Sequence, residues 1–155
     1  MRDIVKGVQI LTNNSNLSKG KKFEYQVKQF FADQGIYLER PFSIYVGISD
    51  EKKPHKFDLG SETPPILVEC KAHSWTETGN SPSAKLSIWN EAMYYFVTAH
   101  LRFRKILFVQ KSIYNDQSLA EHYVDRYGHL IPEDVELWEL DIETGQGACI
   151  YGNNG

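Results

Sequence analysis

Lys56-Phe57-Asp58-Leu59 and, after the turn Gly60–Pro65, Ile66-Leu67-Val68-Glu69-Cys70-Lys71 decide how this chain is read. The first stretch is a short strand-like segment carrying an acid. The second is an apolar strand closed by Glu-x-Lys. Side chains two apart on a strand share a face. Glu69 and Lys71 are therefore expected on one face, with Val68 and Cys70 turned the other way into a core. If the two segments pair as a hairpin, Asp58 lies beside Glu69, and two carboxylates and a lysine meet at one point. Such a set suits a hard divalent cation and a water held against a phosphodiester. A plainer reading stands beside it. Glu69 and Lys71 would be an ion pair on a solvated strand face, contributing roughly 0–1 kcal/mol, and Asp58 a turn acid before Gly60.

Working outward, Phe23, Val27, Phe30 and Phe31 recur at helical spacing and predict a helix over Gly20–Gln34, capped by Ser18 and stopped by Gly35. Residues 1–17 read as an N-terminal arm. Phe42, Ile44 and Val46 alternate as a half-buried strand does, residues 49–55 read as a charged turn, and a strand is expected at 56–60. Residues 72–81 are a polar loop. Ser81-Pro82 predicts a cap and first helical residue for a helix over Ser83–Arg102, with Leu86, Trp89, Met93, Phe96 and Val97 on one side. Ile106-Leu107-Phe108-Val109 is nearly continuous and fits a strand buried on both faces. A helix over Ser118–Tyr127 closed by Gly128, then strands at Val135–Asp141 and Ala148–Tyr151 around Thr144-Gly145, complete the chain as a helix and a terminal hairpin.

The 155 residues, 41% hydrophobic and 13% aromatic, suffice for one domain with a core. No apolar run approaches membrane-spanning length, and the N-terminus lacks the pattern of a signal peptide. Cys70 and Cys149 have no metal-binding spacing and are expected reduced, buried and inert, so a cytoplasmic setting is expected. A net charge of −3 argues against a protein that coats nucleic acid, but not against an enzyme with a local basic patch. Two such patches are visible, Lys19/Lys21/Lys22 and Lys52/Lys53/His55/Lys56; each is either phosphate-contacting or solvated surface. His73 follows the motif as a phosphate contact or a surface histidine. Trp75 is either a base-stacking platform or packing under its loop. Trp89 and Trp138 are expected in the core, and His100, His122 and His129 in structural or surface roles. Glu39 is a weaker acid candidate.

The order helix, three strands, helix, strand, with Asp58 and Glu69-Cys70-Lys71 in place, resembles the PD-(D/E)XK nuclease superfamily. The resemblance covers residues 18–110, with 111–155 as a C-terminal extension within a single domain, 1–155. It implies an α/β, restriction-endonuclease-like αβββαβ core, a mixed central sheet flanked by helices, followed by the C-terminal helix and β-hairpin. It implies catalytic roles for Asp58, Glu69 and Lys71, with Mg²⁺ (or Mn²⁺) held by Asp58, Glu69 and the Cys70 backbone carbonyl. It adds Glu24, on the first helix, as a possible further acid, and Lys85 on the second, where Asn90 and Glu91 are also candidates to face the site. Phe57 stands where the motif's proline is found, at a position that varies across the superfamily. The expected activity is that of a metal-dependent nuclease, foremost a DNA endonuclease of restriction, repair or mobile-element type. Lys19, Lys22, Lys53, His55, Lys56, His73 and Trp75 are the candidate nucleic-acid contacts. A homodimer or larger assembly is compatible with this. The alternative is a catalytically silent nuclease-fold subunit that binds nucleic acid or protein.

Overall fold

The apolar run Ile106–Val109 lies in the middle of strand β5 (Arg104–Gln110), the central strand of a five-stranded mixed sheet. All four residues are fully buried, as a strand covered on both faces requires. The computed structural model describes residues 15–152. Its main sheet has the order β3 (Leu59–Glu62), β4 (Pro65–Lys71), β5, β8 (Val135–Leu140), β9 (Gly147–Tyr151). The three central strands are parallel and the two edges antiparallel. Helix α1 (Ser15–Ala32) packs Phe23, Val27 and Phe31 on one face, against Leu59, Ile66, Val68, Ile106 and Phe108. Helix α2 (Ser83–Thr98) packs Leu86, Trp89, Met93 and Phe96 on the other, against Leu67, Leu107 and Val109. The alternation of Val68 and Leu67 between these clusters is the period of two expected from the motif strand.

β1 (Phe42–Val46) and β2 (Lys53–Phe57) form a separate antiparallel pair, with Phe42 opposite Phe57. A short hairpin, β6 (Ile113–Tyr114) and β7 (Gln117–Ser118), precedes helix α3 (Leu119–Tyr127). Ser118 and Glu121 close a reciprocal capping box on α3. No helix among the described residues is long and apolar enough to cross a membrane.

Several expectations change. Most of the proposed arm, residues 1–14, lies outside the described residues, but Ser15–Leu17 are helical and Ser18 is inside α1 rather than its cap. The strand expected at 56–60 is broken at Asp58. The residues before it pair with β1 and those after it with β4, so the 49–55 turn is shortened by the start of β2 at Lys53 and Gly60 belongs to β3. Helix α2 stops at Thr98, not Arg102, because Ala99 turns extended (φ −91°, ψ 150°) to lead into β5. Pro82 occupies its N-cap with no side-chain bond, so Ser81 does not cap it, and Val97 is 56% exposed, outside the apolar stripe. Gly128 is right-handed (φ −55°) and runs on into a 3₁₀ turn, Gly128–Leu130, rather than ending the helix sharply. Neither cysteine is fully buried: Cys70 at the end of β4 and Cys149 on the edge strand β9 are both half-buried. The β6–β7 hairpin was not expected. Its signal was Asn115-Asp116, both with positive φ, the pair that a tight hairpin turn favours.

Candidate active site

The break between β2 and β3 is what places Asp58. The β3–β4 ladder sets Leu59 opposite Val68, so the next pair outward brings Asp58 to Glu69. Side chains replace the backbone ladder at this step. The Asp58 N–H donates to Glu69 Oε1 at 3.3 Å, and the Cys70 N–H donates to Asp58 Oδ2 at 2.8 Å. Lys71 Nζ lies 3.8 Å from Glu69 Oε2, with the two side chains only 21% and 11% exposed. The solvated-face reading of this pair is therefore not what the structure has.

Glu24 joins them from α1. Its carboxyl is raised above its ordinary range by burial first and then by the negative charge of Asp58, while Arg40, 3.6 Å away, pulls the other way. Glu69 is pushed up to about 8, again by burial first and then by Asp58, with Lys71 opposing. Three acids, from α1, the β2–β3 break and β4, thus share one partly enclosed place with too little positive charge to keep Glu24 and Glu69 in their ordinary range. A hard cation would supply that charge, and oxygen donors are the ligands such a cation takes. Among the described residues no three His, Cys, Asp or Glu side chains form a group that could hold a metal ion. Asp58 and Glu69 fit the one or two carboxylates that Mg²⁺ usually takes. Cys70 lies between the two charged residues of the motif strand. Its thiol packs beside the α1-side core and burial raises it well above its ordinary value, so it is no nucleophile.

A groove of about 620 Å³ opens beside Lys71 and is lined by Lys19, His73, Trp75 and Lys85 among others. Four of the sequence candidates are thus gathered beside the motif. The rest are not part of this groove. Lys22 and Lys56 are exposed, and Lys53 is exposed beside Glu51 at 3.8 Å. His55 stacks on Tyr95 with ring centroids 3.7 Å apart. Burial lowers its basicity, and the charge of Asp58 partly restores it. Trp75 is packed against the core and donates its Nε1–H to the Gln117 carbonyl at 3.2 Å, which favours packing over a free stacking platform. Asn90 accepts from the Tyr123 hydroxyl at 2.7 Å and so binds to α3 instead of facing the acids. Glu39 is exposed and contributes a backbone bridge to Gly60.

Two partners escaped the sequence reading. Arg40 beside Glu24, and the bond from Trp89 to His73, join residues with no spacing pattern between them. Comparison of the chain with protein-family models, with curated proteins and with solved structures finds no match.

Proposed function

We propose that this protein is a divalent-metal-dependent nuclease that hydrolyses phosphodiester bonds, foremost in DNA and as an endonuclease. The observation that carries the reading is the convergence of Asp58, Glu69 and Lys71 at the β2–β3 break, with Glu24 behind them. The element order supports the restriction-endonuclease-like assignment. Counted through the break, β2 and β3 are one interrupted strand, and the order becomes helix, three strands, helix, strand. In this reading Asp58 and Glu69 hold Mg²⁺ or Mn²⁺, with the Cys70 carbonyl as a further ligand. The bound ion would lower the pKa of water and offset charge on the scissile phosphate. Lys71 orients the attacking water and adds positive charge where the phosphate becomes more negative. Glu69 positions Lys71 through their ion pair, and Asp58 locks the strand break through the Cys70 amide. Glu24 adds negative charge that strengthens the hold on a cation. A cytoplasmic setting, with Cys70 and Cys149 unpaired, belongs to the same proposal, as does a homodimer that would bring two sites to two strands.

The test is cleavage of supercoiled plasmid and of single-stranded oligonucleotides with Mg²⁺ or Mn²⁺, comparing the protein with Lys71→Ala and Asp58→Ala. Metal-dependent cutting that falls roughly 10²–10³-fold in each variant is expected. Cutting that survives both substitutions refutes the assignment. Absence of cutting together with absence of Mn²⁺-induced thermal stabilisation points to the catalytically silent subunit instead.

A further inference from the structure

The groove beside Lys71 holds a donor that the chemistry above does not use. Trp89 is fully buried in α2, and its Nε1–H donates to His73 Nδ1 at 2.8 Å. An indole nitrogen only donates. His73 Nδ1 must therefore carry a lone pair, and the proton of the neutral ring is on Nε2. Flipping the ring or moving the proton to Nδ1 would leave the buried indole N–H without an acceptor, which is why the arrangement is fixed. Nε2 makes no hydrogen bond within the described residues, and His73 lines the groove. Three ammonium groups line the same groove from three elements: Lys19 on α1, Lys71 at the end of β4, and Lys85 on α2. Burial, and then the charges of Lys85, Lys71 and Lys19, hold His73 at about 4, so the ring stays neutral near pH 7.

Resting on the nuclease reading, we propose that the groove seats a phosphodiester strand, with His73 a neutral, tautomer-locked donor to one phosphate and Lys19 and Lys85 holding its neighbours by charge. The spread of the lysines over three elements suits consecutive phosphates better than a single anion. The Ile88 side chain in the same wall offers an apolar surface to sugars. Histidine is suited to this position in the groove. It offers one directed N–H without adding a further cation that would weaken metal binding by the nearby acids.

The two kinds of contact have different salt signatures. A lysine on a phosphate displaces a counterion, whereas a neutral imidazole does not. Binding of a fluorescein-labelled single-stranded DNA of about 20 nucleotides is followed by anisotropy in EDTA over a salt series. The slope of log K against log salt is expected to fall by about 0.7 in Lys85→Gln. In His73→Ala affinity drops about tenfold, as for a hydrogen bond to a charged group, with the slope unchanged. Because His73→Ala leaves the buried Trp89 N–H unpaired and so costs stability, ¹⁵N-resolved NMR of the unmodified protein gives the second readout: a protonated Nε2 and a bare Nδ1 at pH 7. Failure of the protein to bind the strand overturns the proposal. So does an Nδ1–H tautomer, an imidazolium at pH 7, loss of slope in His73→Ala, or equal competition by polyglutamate. These measurements need no cutting. Binding that behaves as expected without cleavage would refute the nuclease reading alone, and cleavage by a protein whose affinity ignores His73 would refute the groove alone.

Discussion

Glu69→Gln is expected to stabilise the metal-free protein at neutral pH, although it removes the carboxyl that lies beside Lys71 Nζ. The native carboxyl is held at about 8 against an ordinary 4.5 by burial and by Asp58. The sign follows from proton linkage. Between those two values the native state binds more protons than the unfolded state, so this group's contribution is fully present below about pH 4.5 and is lost as pH rises through about 8. At pH 7 the two values correspond to a loss of about 3 kcal/mol relative to the protonated form. Glu24, whose carboxyl is raised as well, shares part of this cost, so about 1–2 kcal/mol is expected for Glu69 alone. Glutamine keeps an oxygen for the Asp58 N–H and carries no charge. The ion pair it gives up spans 3.8 Å. Urea denaturation followed by tryptophan fluorescence, in EDTA, measures both proteins from pH 5 to pH 8. The advantage of the variant should grow across that range, and a saturating divalent cation should shrink or reverse it by stabilising the unmodified protein. A flat difference between pH 5 and pH 8, or a variant that loses ground as pH rises, would refute the account of the site as a set of acids short of positive charge.

Asp58→Asn separates chemistry from structure. It retains an acceptor for the Cys70 N–H and should keep stability within about 1 kcal/mol while abolishing metal-dependent cutting, whereas Asp58→Ala should also lose about 1–2 kcal/mol from the orphaned amide. Gly60→Ala would drive a Cβ into the Phe42 ring and place it 2.9 Å from the Ile66 carbonyl oxygen. That overpacking should cost about 1–3 kcal/mol in denaturant titrations, and a neutral result would mean that the β1–β3 contact yields easily. Lys105 is only 1% exposed and bonds to Asp134 at 2.7 Å and to the Ala99 carbonyl at 3.0 Å. Asp134→Ala should cost about 2–3 kcal/mol, less than a fully enclosed pair because the Asp134 side chain is 35% exposed. Lys105→Met should stay within about 1 kcal/mol of the unmodified protein, and a double-mutant cycle reads the coupling directly.

Local patterns carried much of the fold. The apolar run Ile106–Val109, the stripes of α1 and α2, and the short helix α3 are each written in a few adjacent residues, although Ser118, read as the first helical residue, is the N-cap. The alternation in Ile66–Lys71 was enough to put Glu69 and Lys71 on one side and Val68 and Cys70 on the other, because a strand reverses its side chains at every step. Chain breaks were less legible. Asp58 ends one pairing and begins another, and nothing in Lys56–Leu59 reveals that its two sides will find different partners. The end of α2 at Thr98 was hidden for a similar reason, since Ala99 leaves the helix to feed a buried strand rather than because of a breaker residue.

The sequence by itself determined the carriers of the proposed chemistry and their grouping in a hairpin, since the relevant residues are close along the chain and share a short repeat. Tertiary structure alone decided their electrical condition. Burial under α1 and α2, with Glu24 and Arg40 brought from elsewhere to Asp58 and Glu69, turns ordinary surface acids into a crowded set in which Glu24 and Glu69 hold their protons more tightly. It also decided which basic residues share the groove and fixed the proton of His73 through an indole far away in sequence. Charge interactions and desolvation depend on distances through space, and packing sets those distances only once the helices close over the sheet.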